Sequence, residues 1–251
     1  MSERVLQPRL FNPDDYGMKG FPAVASVGEY ARSYAAGQGL QWKAPSRQTR
    51  VNPQRGHAQY LAYRDAQNAP REAKGIRESY SVMREHIGKQ FEHLTRPQSE
   101  GGMGFTFEAV DTDPYDSPEA MAEDVANRRI KVMSTAATGG HEFFTNEEND
   151  RFRAVHDVFG HAGIGRDFSR DGEEAAFLSH RQMFPKEAHA ALASETRGQN
   201  SFLNYGPDRD FPDQGPGSKL IGLPKWAEGD RMPKPRAKKT QQPAYEQGRL
   251  F

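Results

Sequence analysis

Two histidines stand five positions apart near the middle of the chain, in the segment FRAVHDVFGH. They are His156 and His161, with Asp157 directly after the first and Gly160 directly before the second. On a regular α-helix their side chains would lie about 140° apart, too far for one ion. A glycine at position 160 can end or distort the last turn and bring His161 back toward His156. The segment therefore favours one shared metal site over two helix-end histidines that only bond to backbone carbonyls.

A third ligand with an oxygen donor is expected downstream of this pair. Glu195, in the polar stretch ASETRGQNSF, is the preferred candidate, because a buried divalent ion needs an anionic partner. Glu173, Glu174 and His180 compete for the role, since GEEAAF has the composition of a helix start. Two imidazoles and one carboxylate leave open positions on the ion, which suits non-haem Fe(II) chemistry with dioxygen.

Asp157 and Arg197 are the candidate catalytic residues. A helix would point Asp157 about 100° away from His156, which suits a carboxylate that orients an imidazole better than one that binds the ion. Arg197 lies two positions after Glu195, where it could support the metal site or contact a substrate. Ordinary hydrogen bonding within a loop is the alternative for Arg197.

The segment FRAVHDVFGH resembles the iron-binding stretch of the pterin-dependent aromatic amino acid hydroxylases, which carry His-Asp/Glu-x-x-Gly-His on a helix and a glutamate further along. His156 and His161 match the two histidine ligands, Asp157 the acid between them, and Glu195 the glutamate. The resemblance covers Arg128 to Ser201. It implies a mostly helical fold, Fe(II), dioxygen and a reductant, for which a pterin is one candidate. The chain departs from the family after the second histidine, where it lacks the family's proline.

Helices are the elements that must position these residues. The sequence TNEE at 145–148 has the pattern of a capping box and opens the helix that carries the histidines. The sequence SPE at 117–119 predicts a second helix start. Spacings of three and four predict a third helix with a buried stripe formed by Tyr80, Met83, Ile87, Phe91 and Leu94. Short strands are expected over 105–110 and 130–133, so the predicted fold class is mainly α with a small β component (α+β).

Composition confines the core to part of the chain. The chain has 251 residues, of which 35% are hydrophobic, and its mean hydropathy is -0.90. Residues 1–75 are basic and rich in Gly and Pro, with short helical stretches expected near 27–36 and 58–66. Residues 207–251 are Pro-rich and basic. We therefore expect a single helical metal-binding domain over 76–206 with an extended N-terminal arm and a C-terminal tail, either solvated or bound to an oligomer or assembly partner.

Several classes of protein are excluded or disfavoured. The absence of Cys rules out disulfides, thiolate metal sites and a cysteine nucleophile. A net charge of +0 gives no overall field that would favour nucleic acid or an anionic membrane. No run approaches 18 apolar residues, and the start MSERVLQPRLFNPDD has no apolar signal region, so we expect no membrane span and a cytoplasmic location.

The leading hypothesis for function is a mononuclear non-haem iron oxygenase or hydroxylase, an Fe(II)-dependent monooxygenase acting on a small molecule. A divalent-metal hydrolase is the first alternative, in which zinc would activate water between His156, His161 and a carboxylate. The second alternative is a non-enzymatic assembly protein, such as a virion-associated structural protein with extended arms.

Overall fold

The computed structural model describes residues 20–43, 49, 52–65, 74–205 and 229. Most of this part is helical and it holds one two-stranded sheet, which confirms the predicted fold class. The α-helices of the described residues are α1 (Ala25–Gly37), α2 (Pro53–Asp65), α3 (Lys74–Thr95), α4 (Pro118–Ala126), α5 (Asn146–Val155), α6 (Arg170–His180), α7 (His189–Ala193) and α8 (Gln199–Tyr205). Two π-helical segments, π1 (His156–Ala162) and π2 (Ser194–Gly198), continue α5 and α7. Short 3-10 turns occupy Gln98–Glu100, Arg181–Met183 and Lys186–Ala188.

The sheet consists of β1 (Thr106–Val110) and β2 (Arg129–Met133), which pair in parallel. A parallel pair needs a crossover connection, and α4 provides it. Ser117 begins this helix as predicted, because its hydroxyl accepts a hydrogen bond from the backbone N–H of Ala120 at 3.2 Å. Buried side chains of α4 and β2 then join the common core.

The longest helix, α3, runs through the core. Four members of its predicted apolar stripe are buried and Phe91 packs against them half-buried. Burial of such side chains contributes about 1.5–3 kcal/mol each. Because α3 also contacts α5 and α7, it fixes the two helices whose π-helical extensions carry the sequence-predicted site residues.

The N-terminal arm predicted over 1–75 is not extended throughout. Both short helices expected there are present, as α1 and α2. Val27 and Ala31 of α1 and Tyr63 of α2 are buried in the same core as α3. The core of the described residues therefore begins before residue 76. The predicted tail over 207–251 lies outside the described residues apart from Gly229.

None of the helices among the described residues combines the length and the apolar character that crossing a bilayer requires.

Candidate metal centre

The two histidines converge because the helix that carries them changes its winding. A complete capping box at Thr145 and Glu148 opens α5, as predicted. At His156 the chain passes into π1, whose i→i+5 hydrogen bonds bring residues five apart onto nearly the same face. The imidazole rings of His156 and His161 consequently lie 5.3 Å apart between centroids, at 90° to each other. The predicted distortion is present, and it is a π-helix rather than a helix end.

Gly160 makes room for the neighbouring helix α6. A Cβ atom added to Gly160 would lie 3.2 Å from His156 Nδ1 and 3.3 Å from both the Cβ and the carbonyl oxygen of Ala176. These distances are tighter than ordinary van der Waals contact. The glycine therefore lets α6 pack directly against π1, which contacts it extensively.

This approach delivers the carboxylate of Glu173 to the histidines. Ser169 caps α6 by accepting a hydrogen bond from the Gly172 N–H at 3.3 Å, which places Glu173 in the first turn. Glu173 Oε2 lies 3.5 Å from His161 Nε2 and 4.0 Å from His156 Nε2. Two atoms that each bind one ion at about 2.1 Å are at most ~4.2 Å apart, so both separations suit a shared ion.

One ligand atom from each of these three residues lies within 4.8 Å of the other two. Across the described ranges, His156, His161 and Glu173 form the one group of this kind that could hold a metal ion. We call these three residues the metal triad.

The charges within the metal triad are mutually stabilising. Burial lowers the pKa of His161, but the Glu173 and Asp157 carboxylates outweigh it and raise that pKa to about 9. Burial acts to raise the pKa of Glu173, and the two imidazoles outweigh it and bring it to about 2. Without a metal ion, His161 and Glu173 therefore form an ion pair at neutral pH, and a metal ion must displace the His161 proton.

In both histidines a hydrogen bond at Nδ1 fixes the ring so that Nε2 faces Glu173. His161 Nδ1 lies 3.1 Å from the backbone oxygen of Arg166. A carbonyl oxygen only accepts, so Nδ1 carries a hydrogen. This contact fixes the ring so that Nε2 faces Glu173.

His156 is oriented by a buried relay of two further side chains. Gln90 Nε2 donates to the Met183 carbonyl oxygen at 3.3 Å, which turns Gln90 Oε1 toward His180 Nε2 at 2.8 Å. His180 Nε2 must therefore donate. Burial, together with the nearby His156, holds the pKa of His180 well below its usual value. The His180 ring is therefore neutral, and its Nδ1 carries no hydrogen and can accept one hydrogen bond. His156 Nδ1 donates to it across 3.2 Å, which leaves His156 Nε2 free to face Glu173.

We expect Gln90→Leu to weaken metal binding about 10–100-fold, the range typical of residues that orient a metal ligand. The leucine cannot accept the hydrogen bond from His180 Nε2. The tautomers of His180 and His156 are then no longer fixed. Competition with a chelator would measure the affinity, and 15N NMR of the imidazoles would report the tautomers. Gln90→Glu is the matched control, since its carboxylate still accepts from His180. Unchanged affinity and tautomers in Gln90→Leu would contradict the relay.

Asp157 lies beside the metal triad, at the wall of a cavity of about 700 Å³ that His156 and Glu173 also line. Burial raises the pKa of Asp157 to about 6, although His161 and His156 act against it. A carboxylate with a pKa near neutrality is suited to accept or return a proton. Among the described contacts Asp157 does not orient either imidazole, since Arg166 and His180 do, and its catalytic role stays a prediction.

Arg197 is held in a buried ion pair and is not among the described residues that line this cavity. Its Nε and Nη2 donate to the two carboxylate oxygens of Glu174 at 2.9 and 2.6 Å. Its Nη1 donates to the Gly229 carbonyl oxygen at 2.8 Å, and so does Arg55 Nη2 at 2.8 Å. Its guanidinium also lies 4.2 Å from the centroid of the Phe177 ring. These contacts favour a structural role for Arg197 over the predicted catalytic one. They also engage both carboxylate oxygens of Glu174, which was one of the candidate metal ligands.

Glu195 lines the cavity, but it is not a member of the metal triad. Its Oε1 accepts from the Tyr80 hydroxyl, and its Oε2 accepts from Gln199 Nε2 at 2.9 Å and lies 3.0 Å from His141 Nε2. The structure thus brings Glu173, one of the weighed competitors, to the histidines in place of the preferred Glu195. The reason is the packing of α6 against π1, which sequence spacing does not encode. In the sequence, Ser169 is the local signal that a helix begins there and that Glu173 lies in its first turn.

The rim of the cavity is partly apolar. Phe168 and Leu203 line it and are 41% and 47% exposed. The Phe168 ring also meets His161 edge-on, with centroids 5.0 Å apart. The volume of this cavity lies within the range of small-molecule sites.

Comparison of the chain with protein-family models, with curated proteins and with solved structures found no match.

Proposed function

We propose that this protein is a mononuclear non-haem iron oxygenase that hydroxylates a small organic molecule. The observation that supports it most is the convergence of two imidazoles and one carboxylate at a small-molecule cavity. Such a set leaves coordination positions open and is the ligand arrangement of non-haem Fe(II) oxygenases. When bound, Fe(II) would supply the activation of dioxygen. A reductant is also required, and the resemblance to the aromatic amino acid hydroxylases makes a pterin the first one to test.

The chain's own residues contribute positioning and proton transfer. The Arg166 carbonyl oxygen and the Gln90–His180 relay hold both ligand imidazoles with Nε2 toward Glu173. Asp157 lines the cavity beside them and can accept or return a proton near neutral pH. The cavity walls confine a substrate next to the metal triad.

Metal analysis of protein purified without added metal is the direct test. We expect this protein to contain iron, to reach one Fe(II) per chain on anaerobic reconstitution, and to consume oxygen only when a reductant is present. Protein that keeps only zinc and consumes no oxygen would contradict the proposal and support the metal-hydrolase alternative. Protein that binds no divalent ion would contradict both and favour the non-enzymatic assembly role.

We expect the metal affinity to rise about tenfold per pH unit between pH 7 and pH 8.5. His161 is protonated below its pKa of about 9, whereas a metal ion binds only the neutral imidazole, so binding releases one proton. Glu173, with a pKa of about 2, stays ionised across this window and adds nothing to the slope. Calorimetric titration with Zn(II) in two buffers of different ionisation enthalpy would count the protons. An affinity independent of pH would contradict the assignment of His161 as a ligand.

A further inference from the structure

Glu195 is a buried carboxylate with three polar side chains around it, each of which can donate a hydrogen bond. Its side chain is 3% exposed. The Tyr80 hydroxyl and Gln199 Nε2 both donate to it, and His141 Nε2 lies 3.0 Å from Oε2. Both oxygens thus accept hydrogen bonds, the arrangement that suits a carboxylate group, which has no hydrogen to donate.

His141 is a donor at Nε2 and is also uncharged. Its Nδ1 accepts the backbone N–H groups of Phe143 and Phe144, both at 3.1 Å. A proton on Nδ1 would face these two hydrogens, so the ring carries its single hydrogen on Nε2. His141 therefore gives Glu195 a hydrogen bond and no positive charge.

The negative charge of Glu195 is thus stabilised but not neutralised. In the part of the chain that the structure describes, no Lys or Arg pairs with it. A buried carboxylate without a counter-ion is costly. Glu195 lines the cavity that also borders the metal triad, so a ligand in that cavity can supply the missing charge.

The rest of the cavity wall favours a cation over an anion. Of its described residues, Arg153 is the only Lys or Arg, and its guanidinium donates to the Met133 carbonyl oxygen and, at 3.2 Å, to Thr138 Oγ1. Asp157 adds a carboxylate to the same wall, and Glu173 adds one that is already paired with His161. Before a metal ion binds, an anionic substrate would therefore meet the carboxylates of Glu195 and Asp157 and one guanidinium that already has partners.

We infer that the cavity binds a small organic cation, a protonated amine with an apolar body, and that Glu195 is its counter-ion. Phe152, Phe168 and Leu203 line the same cavity and give the apolar body its contacts. The inference rests on the proposed function in one respect, which is that the amine is the molecule oxidised at the metal triad.

Three probes of nearly equal shape test the charge preference: benzylamine, benzyl alcohol and benzoate. Their dissociation constants are measured at pH 7 by calorimetry or ligand-observed NMR, on the full chain with metal removed by a chelator, because a carboxylate or an amine can also bind a zinc ion directly. We expect the ammonium to bind at least tenfold more tightly than the alcohol, and benzoate to bind most weakly. Glu195→Gln should bring the ammonium to within threefold of the alcohol. Tyr80→Phe is the matched control, because it removes a donor to the carboxylate and keeps the charge, so the preference should persist.

Retention of the ammonium preference in Glu195→Gln would overturn the inference, as would wild-type protein that binds all three probes alike or none of them. If Glu195→Gln does not fold, the order of the three dissociation constants in wild type and in Tyr80→Phe still tests the inference. Loss of metal from Glu195→Gln as severe as that from Glu173→Gln would make Glu195 a ligand and also overturn it. Selective amine binding by a chain that binds no metal would instead overturn the proposed iron function and leave the cation site standing.

Discussion

Glu173→Gln is expected to weaken metal binding by about 100-fold or more, beyond the 10–100-fold typical of residues that only orient ligands. Glu173 is the sole carboxylate of the metal triad, 3.5 Å from His161 Nε2. Glutamine keeps the shape but removes the charge, which leaves a divalent ion with two neutral imidazoles in a buried site. Metal content by mass spectrometry and affinity by chelator competition would measure the loss, with circular dichroism to confirm the fold.

Glu195→Gln is the matched control for this experiment, because it makes the same chemical change at another carboxylate of the same cavity. It should keep metal affinity within about threefold of wild type, since removal of a charge that does not bind the ion has only a long-range effect. The opposite pattern, with Glu195→Gln empty and Glu173→Gln loaded, would show that the ligand is the glutamate that the hydroxylase resemblance implies.

Glu174→Gln is expected to lower the free energy of unfolding by about 3–5 kcal/mol, the usual cost of removing one partner from a buried ion pair. The Arg197 side chain is 0% exposed and bonds to both Glu174 oxygens. Arg55 Nη2 lies 3.7 Å from the same carboxylate, so two guanidinium groups would lose their anion. Urea unfolding followed by circular dichroism would measure the change.

The exposed ion pair between Arg64 and Asp65 supplies the comparison for that measurement, with side chains 48% and 63% exposed. Asp65→Asn should change the unfolding free energy far less, because solvent screens such a pair. Equal effects of the two substitutions would contradict a structural role for the Glu174–Arg197 pair. Folded Glu174→Gln protein should still bind metal, since the metal triad is intact.

Local sequence patterns predicted the helix that carries the two histidines and the distortion within it. The capping box at Thr145 and the His-Asp-x-x-Gly-His segment indicated a helix with a distorted end, and the structure shows α5 followed by π1. The exact distortion was not predictable, because a glycine can end a helix as readily as it permits a π turn. Ala176, which lies close to Gly160 on another helix, is not a neighbour that local sequence indicates.

The identity of the third candidate ligand and of the residues that orient His156 depends on packing between elements that are far apart in the sequence. Glu173 and Glu195 both stand in polar stretches of sequence, and the approach of α6 to π1 brings only Glu173 to the histidines. The relay residue Gln90 is 90 positions from His180, so no local spacing connects them. The burial of α2 was also missed, because its buried face consists of Gly56, Gln59, Tyr60 and Tyr63 and forms no apolar stripe in the sequence.

The π winding also determines which changes of length this segment can tolerate. Because π1 holds more residues per turn than an α-helix, it behaves as an α-helix with one inserted residue. Deleting Val158 would leave the histidines four apart, and a regular α-helix places residues at that spacing about 40° apart, on one face. Inserting a residue would place them six apart and about 120° from each other. The histidine pair can therefore survive the loss of one residue between its members, but not the gain of one.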